Sequence, residues 1–230
     1  MKLQSKKAWY YIASLILASL YLTGCGGGDE KLASFEVTVV NATNNQPLSP
    51  VTVIVHNRGY SAWTVGSAAS VELEQLAEGG SNTQLLATLP LSATSKSSAG
   101  AIGPGSSATI SITAGAVLRE YLTLVTMLVN TNDAFAGLRT VDVSGLAIGD
   151  SMVLTANVYD AGTEINNEAP GTIPGPADGG EGFNADRSDN VNLVRGHGGV
   201  VSSADGLASS VLDQSHRFDN PAVMVTITRI

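Results

Sequence analysis

The sequence predicts an all-β protein: an antiparallel β-sandwich with one short helix and long acidic loops. Three observations predict it. Apolar residues alternate with polar ones in several short runs, the period of a strand with one buried face. Turn-forming residues separate these runs, and a single stretch carries helical spacing. No internal repeat is present, so the runs belong to one domain rather than to an array.

The elements follow in chain order. Phe35, Val37 and Val39 alternate with Glu36 and Thr38 and predict the first strand. Residues 51–56 are a continuous β-branched run, read as a buried strand ending on His56. Ala69, Leu73, Leu76 and Ala77 fall at i, i+4, i+7 and i+8, one face of a helix over 69–78. Ser67 or Ser70 can cap its start, and Gly79 stands where a left-handed C-terminal cap belongs. On this reading Leu73 faces the sandwich, whereas Glu74 lies on the open face and tolerates alanine within about 0.5 kcal/mol. Residues 92–107, rich in Ser, Ala and Gly, read as a mobile loop. Ala108, Ile110 and Ile112 form the next alternation, and 121–129 is long and apolar. Met152, Leu154, Ala156 and Val158 alternate with polar residues, although Val153 breaks the polar face. Val223, Val225 and Ile227 close the chain, with weaker strands at 138–143 and 191–194.

The N-terminus carries a different signal. Lys2, Lys6 and Lys7 precede an uncharged apolar stretch, residues 8–22, followed by Leu22-Thr23-Gly24-Cys25. A charged region, an apolar region and a small-residue cleavage site make a removable secretory signal. The last four residues resemble the bacterial lipobox, so 1–24 reads as a lipoprotein signal peptide and Cys25, the only cysteine, as the lipidated residue. Several acyl chains on one residue anchor a protein stably, where one chain binds only marginally. Gly26, in place of aspartate, resembles the pattern released to the outer membrane of Gram-negative bacteria. Residues 25–34 form a flexible acidic tether and 35–230 the sandwich domain.

Without residues 1–24 the chain has 206 residues, with nine basic against twenty acidic ones, a net charge of −11. Such a surface excludes nucleic acid as a partner and favours divalent cations. With no second cysteine, the core or a bound ion must hold the fold.

Residues 160–190 concentrate the acidity: Asp160, Glu164, Glu168, Asp178, Glu181, Asp186 and Asp189 against Arg187 alone. A loop of this length in a compact domain is functional or disordered. Hard cations require six to eight oxygen ligands, and Tyr159-Asp160-Ala161-Gly162-Thr163-Glu164 offers two carboxylates around a turn. Asn130-Thr131-Asn132-Asp133 leaves a strong strand, so two strand-end loops can bring Asp133 beside Asp160 and Glu164. The competing reading makes these Asp and Asn residues turn formers that bond their own backbone. Catalytic signatures are scarce. His56, His197 and His216 form no zinc-protease pair, and there is no nucleophile elbow. A Ser-His-Asp triad is defined by geometry and is left open by the sequence. His197 lies in a glycine loop, as a ligand or simply exposed; His56 reads as structural; Trp63 reads as core in preference to a sugar-stacking platform with Tyr60.

Several pieces together resemble the spondin domain in the form found in bacterial secreted proteins and lipoproteins. They are FEVTVVNAT at 35–43, GYSAWTVGSAASVELEQLAEGG at 59–80, TNDAFAG at 131–137, VYDAGTEINNE at 158–168, GEGFNADRSDN at 180–190 and RFDNPAVMVTITRI at 217–230. The resemblance implies an antiparallel β-sandwich similar to the calcium-binding domains of synaptotagmin type, holding calcium through Asp133, Asp160 and Glu164, the last a glutamate where an animal relative has aspartate. The integrin and matrix partners of animal relatives do not transfer, because their disulfides and flanking repeats are missing here. The reading is a lipid-anchored, calcium-binding, non-catalytic sandwich of the bacterial cell envelope, bound to the membrane through acylated Cys25 and serving adhesion toward an unknown protein or glycan. The alternatives are a structural envelope lipoprotein without a specific ligand, and a hydrolase using the acidic loop.

Overall fold

A computed structural model describes residues 32–114, 121–189 and 191–230. The signal peptide, Cys25 and all but the last three tether residues lie outside that description. Within it the strands are β1 (Ser34–Asn41), β2 (Thr52–His56), β3 (Thr94–Ser97), β4 (Ser107–Thr113), β5 (Tyr121–Met127), β6 (Ala134–Asp142), β7 (Ser151–Asp160), β8 (Arg195–Gly196) and β9 (Val223–Arg229). Two helices, α1 (Val71–Gly79) and α2 (Thr83–Ala87), lie between β2 and β3. None of the described helices is long and apolar enough to cross a membrane.

The architecture is the all-β sandwich that the alternation predicts. All pairings are antiparallel, in the order β3-β2-β5-β6-β7-β9-β1-β4, with β8 added on β7. β7 belongs to both sheets. Its residues 151–156 pair with β9, and its last four, from Asn157 to Asp160, pair with β6. That corner folds the sheet path back on itself and buries the inward face of each half. Phe35, Val37 and Val39 point inward from β1 and meet Leu122, Leu124, Val225 and Ile227. Each fully buried side chain of this kind stabilises the fold by about 1.5–3 kcal/mol.

A second core lies on the outer face. Leu73, Leu76 and Ala77 of α1 pack on Ile54, Val125 and Phe135. β5 is thereby buried on both faces, which is why its run lacks a polar alternate. Ser70 caps α1 by accepting from the Leu73 N–H at 3.3 Å. The left-handed cap is Gly80 (φ 67°) rather than Gly79. It has no room for a side chain, since an added Cβ would lie 2.9 Å from Ser49.

Four other expectations need correcting. Glu74 is not on an open face: it is 2% exposed and ion-paired with Arg187 at 2.7 Å. The sheet covers one side of α1 and the acidic loop covers another. Residues 92–107 contain β3, an edge strand of small hydroxyl residues bonded to β2, instead of a structureless loop. The weak strand at 191–194 is displaced to the two residues of β8. Among the described residues there are two α-helices rather than one, because α2 is too short to show periodicity.

Candidate metal centre

Register builds the site. Ala134 pairs with Asp160, so Asp133, just before β6, lies beside Asp160 at the end of β7. On the other flank of β7, Arg195 of β8 pairs with Asp160. The turn before β6 is fixed by Thr131, whose hydroxyl donates to Leu128 O at 2.6 Å and accepts from Ala134 N–H at 3.1 Å. Asp133 is fully buried. Its Oδ2 accepts from the Thr163 N–H (2.8 Å), the Glu164 N–H (3.2 Å) and the Thr163 hydroxyl (3.3 Å). Its Oδ1 is buried with no hydrogen-bond partner. Burial above all, then the neighbouring Asp160 charge, pushes the Asp133 carboxyl up to about 7.

Asp160, also buried, is better supplied. Its Oδ1 accepts from Gly162 N–H at 2.7 Å, and its Oδ2 from Asn166 (2.7 Å) and Arg195 (2.8 Å). Arg195 also holds Asp189 at 2.5 Å. Gly162 carries φ 71°, and a Cβ there would fall 2.5 Å from the Leu193 backbone, so this turn admits only glycine.

Glu164 follows on the same turn, half-buried. Burial first, then Glu78, Asp133 and Glu181, pushes its carboxyl up to about 8, while Asn132 opposes the shift. Of the three sequence-predicted carboxylates, Asp133 and Asp160 come within ligand reach of each other, whereas Glu164 is not part of that cluster. Asp133 and Asp160 each place an oxygen within 4.8 Å of one another and of a ring nitrogen of His197.

His197 is neither exposed nor an ordinary ligand. It is 6% exposed, packed against Phe218, and burial drives its pKa down to about 4. Its Nδ1 accepts from the Gly199 N–H at 2.9 Å, which assigns the proton of the neutral ring to Nε2. A metal-ligating histidine has the opposite arrangement, with its second nitrogen donating outward. Nε2 has no hydrogen-bond partner and is not free to offer a lone pair while the Gly199 bond stands. The donors available to an ion are oxygens, the set that a hard cation takes rather than the mixed set of a zinc site.

Sequence reasoning missed two participants, Arg195 and Glu78, and left His197 open between a ligand and an exposed residue. Arg195 reaches the site only through the β7–β8 pairing, which two residues of strand do not announce. His197 was visible as a lone histidine among glycines, without a sign of burial. Glu78, 1% exposed at the end of α1, has one oxygen bonded to Asn184 N–H (2.9 Å) and Oε1 without a partner. Its i+4 spacing from Glu74 was the available clue to a second buried face. The turn-former reading holds for part of the loop, Asp160 included: Asp160 accepts from Gly162 N–H at 2.7 Å, Asn167 from Ala169 N–H at 3.0 Å, and Asp189 from Val191 N–H at 2.6 Å. His56, bonded to Thr123 at 2.8 Å, and Trp63, packed on Phe135 and Tyr159, are core residues. No family model matches the chain, and neither does any curated protein.

Proposed function

We propose that this chain is a lipid-anchored, calcium-binding β-sandwich of spondin type, displayed on the bacterial cell envelope, at the outer membrane, and serving adhesion without catalysis. Asp133, Asp160 and Glu164 hold the ion, and acylated Cys25 ties the domain to the membrane through the tether. One observation carries the calcium reading: the fully buried Asp133 Oδ1 without a partner, facing further carboxylates. An unpaired buried carboxylate is costly, and an oxygen-coordinated cation removes that cost. Oxygen donors on two strand-end loops also explain why a long acidic segment is held in place. Adhesion follows from display on a tether; the partner is a protein or glycan outside the membrane.

The test is a thermal melt of the detergent-solubilised mature protein in chelator and in calcium. Modules facing extracellular calcium bind with Kd of about 10⁻⁴ to 10⁻³ M. At about 1 mM calcium and the tighter limit, mass action adds roughly 1.4 kcal/mol. For a domain of this size that raises the melting temperature by about 3–6 °C. Magnesium should substitute poorly, because it demands a tighter octahedron. A melting curve indifferent to chelator and calcium overturns the reading.

A further inference from the structure

We infer that the cavity between the turn at residues 57–60 and the segment at residues 88–92 binds a neutral saccharide. The inference gives the adhesion reading a partner of stated chemistry and rests on that reading for its role. It uses neither the ion site nor the anchor. The β2–β3 ladder builds the cavity. Val55 of β2 pairs with Thr94 of β3, so the turn that leaves β2 lies beside the segment that enters β3. Each is closed by its own backbone: Tyr60 N–H donates to Asn57 O at 3.2 Å, and Ala93 N–H to Pro90 O at 2.7 Å. Thr88 is tied to the end of α2, its hydroxyl 3.2 Å from both Gln84 O and Leu85 O. The space left between them is about 350 Å³, at the small end of the range of ligand pockets.

The walls are Asn57, Gly59, Tyr60, Thr88, Pro90 and Ser92, none of them charged. A charged ligand finds no counter-ion there, and an anion also meets the field of a strongly acidic chain. A purely apolar ligand would cover an amide and hydroxyls without pairing them. A sugar ring has C–H faces and a rim of hydroxyls that both donate and accept. Its faces match Tyr60 and Pro90, and its rim matches Asn57, Thr88 and Ser92. The Tyr60 ring is held edge-on against His56, with centroids 4.9 Å apart.

Two unpaired atoms in these walls strengthen the case. Asn57 Oδ1, an acceptor, and Tyr60 Oη, a hydroxyl that can donate, are buried without hydrogen-bond partners. Burial, then the Glu72 charge, pushes the Tyr60 hydroxyl up to about 12, so it keeps its proton at neutral pH. Both atoms are closed to water, so binding requires Asn57 and Tyr60 to turn toward the cavity that they line. Neither oxygen gives up a hydrogen bond in doing so, and a sugar hydroxyl supplies the missing one.

The experiment is an NMR titration of the mature protein, in a detergent without a sugar head group. The probes are glucose, galactose, mannose, N-acetylglucosamine and their disaccharides. At least one should bind saturably, with Kd on the order of 1 mM for so small a ligand, and equally in chelator and in calcium. Tyr60→Phe should weaken that binding about tenfold, while its melting temperature holds or rises because the lost hydroxyl had no partner. A lowered melting temperature with unchanged affinity makes Tyr60 merely structural and overturns the inference. Gly59→Leu adds a side chain to the cavity wall where a Cβ meets nothing within 4 Å, so it should fold and abolish binding. Unchanged affinity in both variants overturns the inference. A panel in which nothing binds does so too, leaving the adhesion reading to a protein partner and the ion site untouched. Binding confined to the calcium-loaded protein places the sugar at the ion and overturns the inference equally.

Discussion

Asp133 makes a measurable prediction about pH. Its carboxyl ionises near 3.8 in an unfolded chain and at about 7 in the fold, mainly because burial disfavours the charge. Between those values the folded state binds a proton that the unfolded state does not. Stability must then fall as pH rises through this window, with the loss complete above about 7. The full gap corresponds to at most about 4 kcal/mol. Relaxation and water entry around buried carboxylates reduce such gaps, so about 2–3 kcal/mol is the working figure. For a domain of this length that is a drop of roughly 5–10 °C in melting temperature. The perturbation is Asp133→Asn, whose amide oxygen can still accept from Thr163 and Glu164 but cannot ionise. Melts in chelator should superimpose on wild type below about pH 3.8, separate from there upward, and exceed it by that margin at about pH 8.5. Calcium should raise wild type at the higher pH and leave the variant unmoved. A difference between the two proteins that stays constant across pH would refute the assignment of a strained carboxylate to Asp133.

Three further outcomes are expected. Leu73→Ala should cost about 2–5 kcal/mol, because Leu73 is fully buried between α1 and the sheet. Glu74→Ala, which leaves Arg187 without its partner, should cost about 2–3 kcal/mol, a buried-pair figure reduced for the 23% exposure of Arg187; urea melts of both variants check this, and a neutral Glu74→Ala contradicts the second buried face. Cys25→Ser should abolish labelling by a clickable palmitate analogue, and absence of label in wild type rejects the lipid anchor.

The strands were legible because burial on one face writes itself as alternation. β1, β4, β7 and β9 all carry it, and the unbroken run of β5 signalled burial on two faces. Legibility failed where the partner of a face lies far along the chain. The inward face of α1 is written in leucine and alanine, but its second face is written in Glu74 and Glu78, whose partners are Arg187 and Asn184 more than a hundred residues away. Glutamate on a helix reads as solvated unless that partner is known. β3 failed for another reason: Thr94, Ser95, Lys96 and Ser97 carry no apolar alternate, and the strand exists because β2 offers it a ladder. Within the site, Asp133, Asp160 and Glu164 were legible as residues, whereas the register that sets Asp160 between β6 and Arg195 was not.

The same pairing logic explains how so acidic a loop can be packed at all. A segment with seven carboxylates and one arginine should repel itself into disorder. Here each carboxylate near α1 and β7 is answered locally or not at all. Arg187 answers Glu74, Arg195 answers Asp160 and Asp189, and backbone N–H groups answer Asp178 and part of Glu168. Among the described residues, the carboxylate oxygens left buried without a partner are one each of Glu78, Asp133 and Glu168. Random acidity would leave its unpaired oxygens facing water, where they cost little. Carboxylate oxygens buried without partners are costly, and a bound cation is one means of lowering that cost. Under the proposed ion site, folding of the loop and binding of calcium would be a single equilibrium, in which removal of either loosens the other.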